Sequence, residues 1–513
     1  MFQRISRVWE KAKKNSASRT AAAYYLSFAS TAIWGFATIP VAIAYLNAEQ
    51  LGLWMVVNAF LSYLLWMDFG VGAATGRLIA KPVADCNQLE INRWWTLTRV
   101  ALVTLCFLLI VLGLTIRPLV LDLFSVSDKL RDGASFLITG GVILTGLSIP
   151  LRGVTGLMTA QDRFYWIPLI QSITPWIHFI IFYVMLIRGH GIKSYIYAMA
   201  AGQSATWLLY NILIFTGTPR PRLDFSGLRF HRFKRLLNLS SNITIIGLVE
   251  TVLNTIPAVI IARLGGYALV PIYNISRRAP LMVADLVNRT YQSFYPRLQC
   301  LYVTGKKEEF KKKHADVGEL VIGVSLCAAA AVLCGNQLIV QLIANQSFYV
   351  SPFANAWFAV AAITIPYTTL FRSVLVISGN YGKNAIISVL KLFIAVLCCY
   401  LLWPWFNLVG IAATLALVPL ITCAYAYFRA PKNCGFKRFE LSPKVAIYGL
   451  CSIMLVWVFG VMVGFSEQGQ GFSFYIADKR MTLPTLTSIG ISLIPAVAGI
   501  VIVSKSLRKL PLA

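Results

Sequence analysis

The feature that most constrains this chain is a succession of fourteen apolar runs, each longer than the roughly 20 residues a helix needs to cross a bilayer. They fall at 21–46, 51–80, 96–116, 134–158, 164–187, 193–216, 239–264, 268–296, 317–343, 353–378, 384–404, 407–428, 444–465 and 483–504. The segments between them are too short for a soluble domain. This pattern predicts an all-α integral membrane protein of about 14 transmembrane helices. Two runs are unusually polar: 51–80 carries Asp68 and Arg77, and 268–296 carries Arg277, Arg278, Asp285 and Arg289.

Composition excludes a soluble reading. Only 13% of residues are charged and 58% are hydrophobic, whereas soluble domains use about 25% charged residues to make their exterior. The surplus of Lys and Arg, 46 against 19 acidic residues, would suit nucleic acid if it covered a folded surface. It does not. The cations cluster in short segments between apolar runs. With the N-terminus inside, cytoplasmic segments hold 35 of the 46, external segments hold 8, and Arg277, Arg278 and Lys391 lie deep within runs. Such a bias predicts both termini in the cytoplasm of a multi-pass inner-membrane protein. The basic start, 1–20, is followed by no clear small-residue cleavage site, so the first run reads as a retained helix. The ten cysteines form no CxxC pair and have no His partner at metal spacing. Most lie within apolar runs, where Cys acts as a small hydrophobe, and neither a disulfide nor a metal site is expected.

The runs group into halves. Thr38-Ile39-Pro40 recurs as Thr255-Ile256-Pro257, Ile149-Pro150 with Arg152 as Ile365-Pro366 with Arg372, and Gly191-Ile192 as Gly410-Ile411, at offsets of 216 to 220. The near-constant spacing predicts two six-helix lobes in parallel orientation, 21–216 and 239–428, joined by a basic cytoplasmic linker, 217–238. Two additional helices at 444–504 follow them. Transporters built from such halves place substrate at the repeat interface. Within the linker, 223–237 mixes Phe and Leu with Arg and Lys, which fits either an interfacial amphipathic helix on anionic lipid or a topology-setting loop.

Ionisable residues inside spans carry most of the functional signal. A charge at mid-bilayer costs about 2.5–3.5 kcal/mol on insertion scales, so Arg277 and Arg278 together cost about 5–7 kcal/mol unless they meet water or a partner. Consecutive positions point about 100° apart, so the two guanidinium groups face different surroundings. Arg277, Arg278 and Lys391 are the candidate cationic binding residues, because arginine suits phosphate geometry. Asp68, Arg77, Glu250, Asp285 and Arg289 are candidate charge partners or ion-coupling residues. The acids also have a simpler reading as neutralisers of nearby arginines. His178 is central in the fifth run. There is no GxxxxGK[ST], HExxH or GxSxG, and no external connection is long enough for a catalytic domain, so an enzyme is not expected and no cofactor is implied beyond coupling to H+ or Na+.

Leu51-Gly52-Leu53-Trp54, then Asp68-Phe69-Gly70-Val71-Gly72 and Arg77, resemble the GLW…DFGxG…R signature of polysaccharide (O-antigen type) flippases. So do Leu264-Gly265-Gly266 through Tyr273 to Arg277-Arg278, Tyr295-Pro296-Arg297 with the basic stretch Gly305 to Lys313, and Gly153 to Arg163 with Gly156-Leu157 and Gln161. The resemblance covers most of 20–430. That family sits within the multidrug/oligosaccharidyl-lipid/polysaccharide exporter superfamily. It implies two lobes around a cationic cavity and movement of an undecaprenyl-pyrophosphate-linked oligosaccharide to the outer leaflet for O-antigen, capsule or exopolysaccharide. It also implies membrane lipids, a polysaccharide polymerase and a chain-length regulator as partners, and no nucleic acid. The chain departs from its relatives at Asn254 to Pro257, where they often carry an acid, and the nearest here is Glu250. The Arg-Asp pair of the lipid II flippase branch is absent near the first span. The alternatives are a cation-coupled drug or metabolite antiporter and, from another class, a membrane glycosyltransferase or ligase.

Overall fold

The computed structural model describes residues 2–509 except 124–125, 127, 162, 164, 217–219, 379–380, 435–442, 468–471, 477–478 and 484–485. It also gives no account of certain side chains, chiefly 2–22, 237–243, 429–434 and 463–492. Among the described residues the regular structure is helical apart from one hairpin, and the chain divides into two compact units, Met1–Thr251 and Val252–Ala513. The division falls inside a helix.

The first unit holds α1 (Phe2–Tyr45), α2 (Ala48–Leu64), α3 (Val71–Ala84), α4 (Gln88–Thr115), α5 (Arg117–Leu123) and α6 (Asp128–Ser148). It continues with α7 (Leu151–Ala160), α8 (Trp166–Ile187), α9 (Ser194–Thr216) and the first part of α10 (Phe230–Gly265). The second unit takes the rest of α10, then α11 (Leu269–Val303), α12 (Lys307–Ile343), α13 (Pro352–Ile377), α14 (Tyr381–Leu417) and α15 (Pro419–Cys434). It ends with α16 (Pro443–Glu467), the antiparallel pair β1 (Phe472–Ile476) and β2 (Lys479–Leu483), and α17 (Leu486–Lys509).

Ten stretches among the described residues are long and apolar enough to cross a membrane. One of them, Gly382–Phe428, is 47 residues long, enough for two spans of about 20 residues. Asn407 inside it has φ 45°, and a Cβ at Gly410 would lie 3.0 Å from the Cβ of Leu402. Residues eight apart on a straight helix are about 12 Å apart, so the chain reverses there. α9 and α11 are long enough to cross but more polar than these ten, and the described apolar part of α17 is Leu493–Ser504. With these, each of the fourteen sequence runs falls largely on helix.

The run 51–80 is not the single span the sequence pattern suggests. α2 ends in a 3-10 turn, Leu65–Asp68, after which Phe69 (φ 48°) and Gly70 (φ 68°) are left-handed and α3 begins. The Asp68 Oδ1 accepts the Gly70 backbone N–H at 3.0 Å, a local bond of the kind that competes with helix continuation. The run 134–158 is broken too, at Ile149-Pro150 between α6 and α7, because proline lacks the N–H and crowds the carbonyl four residues back. Its counterpart Pro366 stays inside a continuous α13. The halves that match in sequence therefore differ in backbone: the first has two discontinuous spans, whereas the charged α11 of the second runs unbroken.

The two half-helices after the breaks cross closely. A Cβ on Gly156 of α7 would lie 2.4 Å from the Gly72 carbonyl oxygen of α3, and one on Gly72 would lie 2.7 Å from the Arg152 carbonyl. Gly72 and Gly76 form a small-xxx-small stripe that lets backbones approach inside a membrane. The Thr75 and Thr98 hydroxyls pair at 2.9 Å beneath this crossing, tying α3 to α4. In the second unit α17 packs on α12, where a Cβ on Gly499 would lie 2.6 Å from the Gly323 carbonyl. α16 packs on α13 through the Tyr367 hydroxyl, which donates to the Ala446 carbonyl at 3.1 Å.

The linker 217–238 is shorter as a connection than the sequence suggests, because α10 already begins at Phe230. The connection between α16 and α17 contains the β1–β2 hairpin.

Candidate functional site

α11 places Arg277 in the core of the second unit, 6% exposed. Its Nη1 donates to the Asn254 carbonyl at 2.8 Å and its Nη2 to the Asn254 Oδ1 at 3.2 Å. The guanidinium also lies 6.0 Å from the Tyr273 ring centroid. The position where the sequence lacks the expected acid thus supplies a neutral amide and a backbone oxygen, and the arginine is solvated without being neutralised. Beside it, between α11, α13 and α14, is a crevice of about 10 Å³, room for about one water molecule.

Arg278, one step round the helix, is half-buried, and its Nε is buried without a hydrogen-bond partner. Neither arginine forms an ion pair with a carboxylate among the described residues. Lys391 on α14 is 2% exposed. Asp285 is exposed on α11 within electrostatic reach of Arg289 and Arg277. Glu250 and Arg289 are half-buried, on α10 and α11. In the first unit Asp68 is buried at the break before α3, and Arg77 is exposed on α3. The structure thus clusters Arg277 with Asn254 and Asp285 with Arg289, while Asp68 and Arg77 lie in the other unit.

A larger space lies elsewhere, in the first unit. A cavity of about 440 Å³ opens within the first unit, walled by α1, α2, α6, α7, α8 and α9. Arg152, in the first turn of α7, supplies its cation, and Gln171, Gln203, Tyr195, Tyr210 and His178 supply polar edges. No carboxylate lines it among the described residues. The break at Pro150 exposes the first turn of α7, whose positive dipole end adds to the arginine's field. Arg99 bears on the same break, its Nη1 donating to the Pro150 carbonyl at 3.5 Å while its guanidinium lies 4.5 Å from the Trp95 ring centroid.

The aromatic wall is held in place from behind. His178 sits 5.8 Å from the Trp34 ring and 5.5 Å from the Tyr195 ring. The Tyr195 hydroxyl donates to the Asn58 Oδ1 at 2.8 Å. The Trp176 Nε1 donates to the Ser30 hydroxyl at 2.8 Å, and that hydroxyl donates to the Ser172 carbonyl at 2.6 Å, which ties α1 to α8. A cationic, amide-rich and aromatic chamber suits a ligand that is anionic and rich in hydroxyls. Arg152 entered the sequence reading only as a repeat marker, and His178 only as a mid-span residue. No spacing rule links residues 34 to 210 across six helices.

No protein-family model matches the chain. A curated relative, the capsular polysaccharide biosynthesis protein CapF of Staphylococcus aureus, is 22% identical over 201 residues, 39% of this chain. The chain spans about half the length of that relative, 51%. Among solved structures, an inward-facing multidrug resistance MATE family transporter of the MOP superfamily superposes with TM-score 0.63 at 11% identity, over 80% of this chain and 94% of its own. A point mutant of the Vibrio cholerae MATE transporter VcmN gives 0.64 at 13% identity, over 84% and 99%. The lipid II flippase MurJ, in an inward closed conformation, gives 0.62 at 13% identity, over 96% and 99%. The chain therefore has the fold shared by these transporters, and it is a multi-pass membrane protein.

Proposed function

We propose that this protein is a flippase that moves a polyprenyl-pyrophosphate-linked oligosaccharide from the inner to the outer leaflet of the cytoplasmic membrane by alternating access, for assembly of a surface polysaccharide. The observation that carries the reading is the chamber around Arg152: among the described residues it is lined by one guanidinium, amides, phenols and indole, and no carboxylate. A phosphate is met there by arginine geometry, and glycan hydroxyls are met by amides and aromatic faces. A cationic drug entering the same chamber would find a like charge and no counter-ion.

Two further facts support this choice over a drug antiporter. The MurJ superposition covers 96% of this chain, whereas those with the drug transporters cover 80% and 84%. The curated relative is named for capsular polysaccharide. In this reading the polyprenyl tail stays in lipid while Arg152 holds the pyrophosphate. Arg277, Arg278 and Lys391 act as a second cationic station, where Arg277 becomes available to phosphate only after Asn254 lets go. Membrane lipids surround the protein, and a polymerase and a chain-length regulator act on the exported glycan.

The test is complementation of surface-glycan export by Arg152→Gln and Arg152→Lys at matched abundance. A loss of at least about tenfold for glutamine, the effect of about 1.4 kcal/mol, with partial retention by lysine, is expected. Wild-type export by both variants, or efflux of cationic dyes by the purified protein in vesicles, would overturn the flippase reading.

A further inference from the structure

The connection between α9 and α10 is strapped to the start of α4 by a ladder of polar bonds. The Gln88 Nε2 donates to the Arg220 carbonyl at 2.8 Å, the Arg222 N–H donates to the Asn92 Oδ1 at 2.8 Å, and the Asp224 N–H donates to the Thr96 hydroxyl at 2.7 Å. Gln88, Asn92 and Thr96 are four apart, one face of α4, so the strap runs along the helix in register. Gly227 lies flat on Arg93, where a Cβ would be 2.6 Å from the Arg93 Cβ.

This docking uses up the carboxylates of the strap and of the α4 face beneath it. Glu90 accepts from Arg232 through both oxygens, at 3.1 and 3.0 Å, and from Arg93 at 3.0 Å. Asp224 caps the Ser226 N–H at 3.0 Å and pairs with Arg93 at 3.5 Å. Arg232 also lies 5.3 Å from the Trp94 ring centroid. What remains on the outside is one-signed. Arg220, Arg222, Arg229, Lys234 and Arg235 are exposed or half-exposed, and none makes an ion pair among the described residues. Between them Leu223, Phe225, Leu228 and Phe230 are 63%, 62%, 42% and 82% exposed.

Four large apolar side chains presented beside five unpaired cations, on a backbone that is itself pinned, form a surface for the boundary between headgroups and acyl chains. We infer that this strap is a binding site for anionic phospholipid. Its arginines meet the headgroup phosphates while Phe225 and Phe230 enter the acyl region. The site is independent of the transported substrate, because it lies outside the Arg152 chamber and shares no residue with it.

The experiment uses the full-length protein in phosphatidylcholine nanodiscs titrated with phosphatidylglycerol, with retained lipids counted by native mass spectrometry. The triple variant Arg222→Gln, Arg229→Gln, Arg235→Gln leaves the ladder bonds in place. It is expected to lose preference for phosphatidylglycerol by about fivefold per arginine removed while keeping its phosphatidylcholine count. Phe225→Ser with Phe230→Ser is expected to lower retention of both lipids. Arg131→Gln, an exposed arginine elsewhere, is expected to change nothing. The inference is overturned if the triple variant keeps wild-type preference, if Arg131→Gln loses as much per charge, or if millimolar inorganic phosphate displaces the phosphatidylglycerol.

Discussion

At the scale of single residues, the decisive contact is Arg277 with Asn254. Two bonds to neutral oxygens, 2.8 and 3.2 Å, keep a buried guanidinium solvated with no carboxylate paired to it among the described residues. Hydrogen bonds to charged groups contribute about 1.5–3 kcal/mol, so Asn254→Ala should lower stability by about that much, read as a drop in the detergent melting temperature. Asn254→Asp should do the opposite for stability and lower export, because a carboxylate would neutralise the arginine. Export at or above the wild-type level by Asn254→Asp would show that the free charge of Arg277 is not needed. Gly70 is the other demanding residue. Its φ of 68° costs an L side chain about 1–2 kcal/mol, so Gly70→Ala should reduce the folded yield modestly, measured by fluorescence-detected gel filtration.

At the scale of elements, the α3–α7 crossing sets the geometry of the chamber wall, since Arg152 sits on α7 beside it. The clearances rank the substitutions: Gly156→Ala meets a backbone oxygen at 2.4 Å, Gly72→Ala one at 2.7 Å and Gly76→Ala one at 3.1 Å. Overpacking of this kind costs about 1–3 kcal/mol, and neighbouring backbone yields less readily than a side-chain tip. Melting temperatures should therefore fall most for Gly156→Ala and least for Gly76→Ala. The strap on α4 has a pH signature. Bonds from the Ser226 side chain and backbone, then the charge of Arg93, hold the Asp224 carboxyl below its usual range. A depressed carboxylate contributes stability above its unfolded pKa and loses it as pH falls through the folded one. Amide exchange at Arg222 and Asp224, whose N–H groups bond to α4, should stay slow down to about pH 4 and speed up below it.

At the scale of the whole molecule, orientation and the two last helices govern the reading. The positive-inside bias predicts bright green fluorescent protein fusions at 220 and 306 and active phosphatase fusions at 190 and 470, and the reverse pattern would invert the transport direction. α16 and α17 lie against α13 and α12 through Tyr367 and the Gly499–Gly323 approach, so they are packed parts of the second unit.

The number of spans, and which cations fall within the apolar runs, were legible in sequence because they depend only on apolar length and on where charge falls along the chain. Arg277, Arg278 and Lys391 could be singled out that way, and Asn254 could be noticed as an acid that was missing. The break at Asp68-Phe69-Gly70 was not legible, because one local hydrogen bond and two left-handed residues cut a run whose apolarity alone argues for continuity. The chamber was less legible still. Its walls come from residues as far apart as Trp34 and Tyr210, and Arg152, the one guanidinium lining it among the described residues, owes its place to a proline that breaks α6 from α7 while the equivalent Pro366 stays inside a continuous helix. Hydrophobicity decides which segments enter a membrane. Which polar groups then share water inside it is decided by how the helices close on one another, and that is a property of packing in three dimensions.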